Sequence, residues 1–351
     1  MPTTDTEMAQ RPAHESGSPV SVLTDPAELR RHCERIRASG MTLGLVPTMG
    51  ALHAGHRSLI RRARAECDRV VVSIFVNPRQ FGPGEDYQRY PRTLESDLAA
   101  CAEERVDQVF APSVTGMYPD GFATRVSVGG LLTQVLEGAQ RPGHFDGVAT
   151  VVAKLLVTVR PDRAYFGQKD AQQCAVVRRL AGDLETGTEI VVCDTVRDSD
   201  GLALSSRNAY LDPEARRQAR AIPAALAAAL ALFSSGERDS GRLIAAASSR
   251  LAESPGLAID YIAAVDADTL EQVREVNDRC EILIAARIRG TRLIDAVRLG
   301  ADAGLVVGGR GDTRERPVQR EGVASHRRPV PESASRSGAR SPGSRREGGF
   351  R

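Results

Sequence analysis

Short apolar, β-branched runs alternate with helix-length stretches between Met41 and Cys193, and this alternation limits the fold more than any other feature. Met41–Val46 is a short apolar strand that ends in the turn Pro47-Thr48-Met49-Gly50. A helix is expected from about Gly55 to Cys67, and Val70–Val76 then reads as a strand buried on both faces. Thr93 can cap a helix running to about Arg105, and Asp107–Ala111 is the next strand. Val148–Val159 reads as helix, Ala164–Phe166 as a short strand, Ala171–Leu184 as helix and Glu189–Cys193 as strand. Upstream, Thr24-Asp25-Pro26 supplies an N-cap and a first-turn proline for a helix that stops at Gly40. Strands separated by helices share a sheet as parallel neighbours joined by crossovers. The expected fold is therefore α/β: a doubly wound, Rossmann-like parallel sheet.

The texture changes near residues 200–208. Asp212-Pro213 opens an Ala-rich helix containing Ala221–Leu232, a second helix covers Gly241–Ser254, and strands are expected near Leu257–Val265 and Glu281–Arg289. The boundaries drawn are a Rossmann-like domain at 20–204 and a smaller α+β domain at 205–303. Residues 1–19 read as a disordered leader. Residues 304–351 read as a disordered, Arg-rich tail, because Gly, Pro, Ser and Arg bury too little apolar surface to offset ordering.

The formal charge is +2 but is unevenly spread. From Gly304 to Arg351 eleven arginines face five acidic residues, which leaves the body of the chain slightly negative and gives no reason to expect specific nucleic-acid binding. No apolar run approaches the roughly 18 residues of a membrane span. Met1–Pro19 lacks the apolar segment of a secretory signal, so a cytoplasmic location is expected. The six cysteines are scattered without a CxxC pair, which fits reduced thiols rather than a disulfide framework or zinc site. Lysine occurs only at Lys154 and Lys169, against 45 arginines. Codon usage explains such a bias; a need for a compact ammonium at those two places would also explain it.

Three segments carry chemistry. His53-Ala54-Gly55-His56 follows a strand and turn and opens a helix. Its two imidazoles fall on one face of the first turn. Gly55 would let a ligand approach the backbone, and the helix N-terminus offers N–H donors to phosphate. An incidental histidine pair, or a zinc pair lacking further ligands, is the other reading. Gly167-Gln168-Lys169-Asp170 lies at a strand end ahead of the next helix. The helix dipole would repel Lys169 there unless an anion sits beside it. Asp170 would cap the helix or bind a ribose hydroxyl. Leu202-Ala203-Leu204-Ser205-Ser206-Arg207-Asn208 follows the polar stretch Arg197–Gly201. Its hydroxyls and guanidinium could wrap a triphosphate, although alone it is only a turn.

The H-x-G-H segment resembles the signature of the nucleotidyltransferase superfamily that includes class I aminoacyl-tRNA synthetases, and the third segment resembles that superfamily's second, mobile signature. With their flanks these segments resemble the pantothenate synthetases (pantoate–β-alanine ligases) over roughly residues 22–300. The further motifs are Ser73–Phe81, Tyr90-Pro91-Arg92-Thr93, Arg141–Val148, Phe166–Gln173, Asp200–Leu211 and Thr291–Asp295.

The resemblance implies an ATP-dependent condensation of pantoate with β-alanine through pantoyl adenylate, with Mg2+ carried mainly on the triphosphate, in a homodimer. It implies an ATP site made of Met49, Gly50, Ala51, Leu52, His53, Ala54, Gly55, His56, Gly167, Gln168, Lys169, Asp170, Val196, Leu204, Ser205, Ser206 and Arg207. His56 would take the role usually called proton donor, and His53, Lys169 and Arg207 would complete the catalytic set. Gln80 and Gln173 would hold pantoate, with Gln80 neighbouring β-alanine; an amide donates and accepts at once. No protein ligand to the metal follows, and Asp97 is noted only as a candidate. Arg79, where the family commonly has Met, Gln168 in place of Glu, and Ala296 in place of Asn depart from the pattern. Arg79, immediately before Gln80, could perturb the pantoate pocket, and the sequence leaves that effect open. Two rival readings stay open: another HxGH nucleotidyltransferase, and an inactive paralogue with a binding role.

Overall fold

The computed structural model describes residues 20–300; the leader placed at 1–19 and the tail placed at 304–351 lie outside the described residues. Six strands form one parallel sheet: β1 (Ser21–Leu23), β2 (Leu43–Thr48), β3 (Arg69–Ile74), β4 (Gln108–Phe110), β5 (Arg163–Gly167) and β6 (Glu189–Cys193). Their spatial order is β1-β4-β3-β2-β5-β6. The central strands are the β-branched runs: Leu43, Leu45, Val46, Val70, Val71 and Val72 are fully buried. That is the expected state of a parallel sheet covered on both faces. The edge strand β1 is only three residues long and escaped the sequence reading.

The crossovers are α1 (Pro26–Ala38), α2 (Ala54–Glu66), α3 (Leu94–Glu103), the single turns α4 (Val114–Met117), α5 (Leu131–Gln134) and α6 (Glu137–Gln140), then α7 (His144–Val159) and α8 (Ala171–Asp183). Asp25 rather than Thr24 caps α1, its carboxylate accepting from the Ala27 N–H. Helix α7 begins at His144, earlier than the expected Val148. Eleven of its sixteen residues are buried, so it has no polar face from which a 3.6-residue period could locate its start.

A second, antiparallel sheet contains β7 (Leu257–Asp266), β8 (Cys280–Ile288) and β9 (Thr291–Arg298) in that order. The expected Ala-rich helix is two helices, α9 (Pro213–Ala219) and α10 (Ala221–Ser234), and α11 (Ser240–Ala252) follows. Ile222, Leu226, Leu230, Leu243 and Leu251 from α10 and α11 pack with Ile282, Ile284 and Ala286 of β8. Ala263, Val265, Leu283 and Ala296 instead join the core formed by α7 and α8. The small sheet is thus sandwiched between its own helices and the larger lobe. Strand β9 was read only as a motif; Arg289 and Gly290, both in left-handed backbone (φ 46° and 82°), make the two-residue hairpin turn before it.

The winding direction of the large sheet reverses beside β2. The chain passes from β2 to β3 and β4 on one side, then from β5 to β6 on the other. In open α/β sheets ligands bind beyond the carboxyl ends of the strands at such a switch point. Here the H-x-G-H segment leaves the end of β2 and the Gly167–Asp170 segment leaves the end of β5.

Candidate active site

A cleft of about 810 Å³ opens at this switch point. Its wall includes Met49, His53, Gly55, His56, Gln80, Gly167, Lys169, Asp170, Gln173, Val196, Leu204, Ser205, Ser206 and Arg207. Three segments far apart in the chain therefore meet at one cleft, the placement that the family resemblance implies for them. Gly50, Ala51, Leu52 and Ala54 form the turn behind that wall, and Gln168 turns away from it.

The first segment is built by a reciprocal cap. His53 is the N-cap of α2: its Nδ1 accepts from the Gly55 N–H at 3.2 Å, and His56 Nδ1 accepts from the His53 N–H at 3.4 Å. Both Nδ1 atoms are acceptors, so each neutral ring carries its proton on Nε2. The rings lie 4.0 Å apart, centroid to centroid. Burial and then the Lys169 charge push His53 down to about 4; burial, then His53, then Lys169 push His56 down to about 3. Near neutral pH both are uncharged N–H donors. Gly55, which lines the cleft, has a second reason to be glycine beside the expected ligand approach, since the space a Cβ would take is filled by the His53 ring.

The turn before this helix is held from behind. Gly50 and Ala51 adopt left-handed backbone, with φ of 81° and 49°. An alanine there costs energy. The buried Asp97 carboxylate compensates by accepting from the Ala51 N–H (3.0 Å) and the Leu52 N–H (2.8 Å). Those contacts make Asp97 a brace for the turn.

Lys169 faces the cleft from a 3-10 turn ahead of α8, its Nζ 3.7 Å from Asp170 Oδ1. The expected cap by Asp170 is not made: it occupies the N-cap position of α8 without a side-chain hydrogen bond to the helix and is left facing the cleft. Gln168 is buried, and its amide donates to Glu281 of β8 at 2.6 Å.

The substrate-side wall explains two motifs. Asn77 is buried; its Nδ2 donates to Gln80 Oε1 (3.1 Å) and to the Gly147 carbonyl (3.1 Å), and its Oδ1 accepts from Tyr118 OH (2.9 Å). Gln80 Nε2 reaches Met49 Sδ at 3.0 Å. Arg141 and His144 both bond the Gln80 carbonyl, and a Cβ at Gly147 would stand 2.2 Å from the Arg79 carbonyl oxygen. The segment Arg141–Val148 is thus the mould for Gln80. The Arg79 side chain is directed away from this pocket. Its guanidinium stacks 4.7 Å from both the Tyr118 and Phe122 ring centroids, and none of the three lines the cleft. Lys154, on α7, stacks on the same Phe122 ring.

In the third segment Leu204 N–H bonds the Val196 carbonyl, Ser205 Oγ accepts from the Arg207 N–H, and Ser206 Oγ donates to the Ala51 carbonyl. The Ser205 hydroxyl therefore shapes its own turn. Arg207 is paired with Asp86. The Thr291–Asp295 motif ties the lobes: Arg292 is bidentate to Glu137, which also accepts from Tyr261 OH, and Asp295 is bidentate to Arg197. Glu137, Arg141, His144 and Asp86 were absent from the residues expected at the site. Their partners across the site, Arg292, Glu85, Gln80 and Arg207, lie more than fifty residues away in sequence, where no local signal reaches.

A sequence model of the family described as pantoate-beta-alanine ligase matches residues 21–298. A pantothenate synthetase of Acidobacterium capsulatum is 54% identical over 275 residues, covering 77% of this chain and 92% of that protein. The crystal structure of pantothenate synthetase from Thermus thermophilus superposes with a TM-score of 0.77 at 48% identity, covering 80% of this chain and 99% of that one. A pantoate-beta-alanine ligase from Francisella tularensis, crystallised with beta-gamma ATP and beta-alanine, superposes with a TM-score of 0.64 at 34% identity, covering 80% of this chain and 98% of that one. Family match, fold and cleft agree, and the chain belongs to the pantoate–β-alanine ligases, the enzymes that form pantothenate.

Proposed function

We propose that the cleft joins pantoate to β-alanine in two steps. In the first, a pantoate carboxylate oxygen attacks the α-phosphorus of ATP, the bond to the bridging oxygen breaks, and pyrophosphate leaves. In the second, the β-alanine amine attacks the acyl carbon of pantoyl adenylate; the amide forms, AMP leaves and the amine loses a proton. The observation that carries this reading is the meeting of His53, His56, Lys169 and Arg207 with Gln80 and Gln173 around one cleft. The Francisella ligase crystallised with beta-gamma ATP and beta-alanine supports the same substrates here.

Phosphoryl and acyl transfer of this kind needs positioning and charge stabilisation more than covalent help. His53 and His56 serve as neutral Nε2–H donors to phosphate oxygens at the N-terminus of α2. This is a donor role rather than the proton-transfer role the resemblance suggested for His56. Lys169 supplies a point charge and Arg207 a planar fork for the departing pyrophosphate. Gln80, its amide set by Asn77, and Gln173 orient pantoate. Magnesium enters as part of the nucleotide substrate, held by triphosphate oxygens. A homodimer and a cytoplasmic location accompany the family reading; among the described residues no helix is long and apolar enough to cross a membrane.

Exchange of labelled pyrophosphate into ATP that requires pantoate, followed by AMP release on adding β-alanine, is the expected result. Exchange without pantoate would point to another nucleotidyl acceptor, and no exchange at all to an inactive paralogue. Sedimentation at micromolar concentration tests the dimer.

A further inference from the structure

We propose that Asp86 is the positioning residue for Arg207, aiming its guanidinium at the leaving pyrophosphate. This rests on the reading of Arg207 given above. Asp86 opens the 3-10 turn Asp86–Gln88, and Arg207 lies in the 3-10 turn Ser206–Tyr210. Arg207 Nε donates to Asp86 Oδ2 and Nη2 donates to Oδ1, both at 2.9 Å. A guanidinium has five N–H bonds arranged on two bidentate edges. Asp86 takes the Nε/Nη2 edge. Both Nη1 protons and one Nη2 proton remain for a second anion, so the carboxylate orients the fork without occupying its end.

The two turns meet at further points. Tyr210 OH donates to the Arg89 carbonyl at 3.0 Å, and the Arg207 guanidinium lies 5.9 Å from the Tyr90 ring centroid. The first turn is itself anchored to the large lobe, because Glu85 is bidentate to Arg141 and Arg92 donates to the Tyr87 and Tyr90 carbonyls. Two adjacent acids thus take different arginines: Glu85 fixes the turn, and Asp86 fixes Arg207 against it. Both line the cleft.

The test is a cycle in the full chain, read by pantoate-dependent pyrophosphate exchange, with thermal melting to confirm folding. Asp86→Asn removes the charge, Arg207→Ala removes the fork, and the double variant couples them; Asp86→Glu keeps a bidentate carboxylate. Asp86→Asn should lower kcat by about 10–100-fold, the scale of misplacing one catalytic group. In the Arg207→Ala background it should change kcat by less than about twofold, and Asp86→Glu should recover part of the loss. Multiplying effects in the double variant would show that Asp86 acts independently of Arg207 and overturn the proposal. A lower KM for ATP with unchanged kcat in Asp86→Asn would also overturn it, making Asp86 a competitor of the phosphates. Wild-type exchange by Arg207→Ala would instead sink the reading of Arg207 itself.

Discussion

Gly55 and the ring of His53 share one small space: a Cβ built at Gly55 would stand 2.9 Å from His53 Cε1 and 3.0 Å from Nδ1. Gly55→Ala must therefore swing the imidazole out of its capping position. Alanine in a helix is favoured over glycine by roughly 0.5–1 kcal/mol, while losing an N-cap costs about 1 kcal/mol. The two nearly cancel, so thermal melting should stay close to wild type. Pyrophosphate exchange should fall by about 10–100-fold, because on the proposed function His53 Nε2 would lose its place as a donor to the phosphates. A well-folded variant with full exchange would show that the ring position does not matter.

The capping geometry also predicts how the reaction responds to pH. His56→Ala should lose about two to three orders of magnitude in the adenylation step, the usual cost of removing a buried donor to developing charge. His56 is held down to about 3 and His53 to about 4, so both stay neutral well below pH 6. The ratio of wild-type to variant rates should be flat from pH 6 to 8. A ratio that changed tenfold per pH unit would restore a proton-transfer role.

The same depressed values set a stability trend. His144, also near 4 through burial and then Arg141, sits between Arg141 and the Gln80 carbonyl. In the unfolded chain all three imidazoles take protons near 6.5, well above their folded values. The stability they contribute is fully present above about pH 6.5 and is lost as pH falls toward 4. Urea midpoints should drop over that window, and His144→Gln should make the drop shallower.

Much of the large sheet could be read from residue patterns, because parallel strands are continuous apolar runs; the residues named for the cleft followed from the family resemblance of short local segments, which the fold brings to one cleft. What could not be read depends on distant partners. Arg292 meets Glu137 across 155 residues of sequence, and Asp295 meets Arg197 across 98. The Thr291–Asp295 motif is therefore visible as a string but silent about its purpose. The effect of Arg79 is open in the sequence because it immediately precedes Gln80. Its side-chain direction is set by Tyr118 and Phe122, about forty residues on. That the His53 ring fills the space beside Gly55 is likewise invisible in the sequence, because nothing local shows how the ring is turned.

Lys169 is one of two lysines in a chain that otherwise uses arginine. Its ammonium lies at the cleft wall beside Asp170, among residues contributed by both signature segments. Lys169→Arg keeps the charge but replaces a compact point donor by a broad fork. Exchange should fall by at least about 10-fold, as for a misplaced catalytic group. Lys154→Arg, on a surface where an arginine already stacks, should stay within about twofold of wild type. Equal, near-normal rates for both variants would show that neither site needs a lysine.

Gln168 gives the sharpest test of how the lobes are joined. Its amide donates to the Glu281 carboxylate at 2.6 Å, and both side chains are buried. A glutamate, common in the family at this place, would here set two acceptors against each other. Gln168→Glu must either leave them repelling or share a proton between them. Sharing raises the apparent pKa of the pair above the ordinary carboxylate range. The folded variant then binds a proton that the unfolded chain has already released, so its stability falls as pH rises through that raised value. The variant should be less stable than wild type by about 1–3 kcal/mol at pH 7, the cost of an unsatisfied buried polar pair. The difference should shrink toward pH 5. Because Gln168 precedes Lys169, exchange at pH 7 should fall as well and recover in part at lower pH relative to wild type. Urea unfolding at the two pH values checks the first expectation. A penalty independent of pH would mean that the new carboxylate finds another partner and that the amide–carboxylate bond is not what joins β8 to the Lys169 turn.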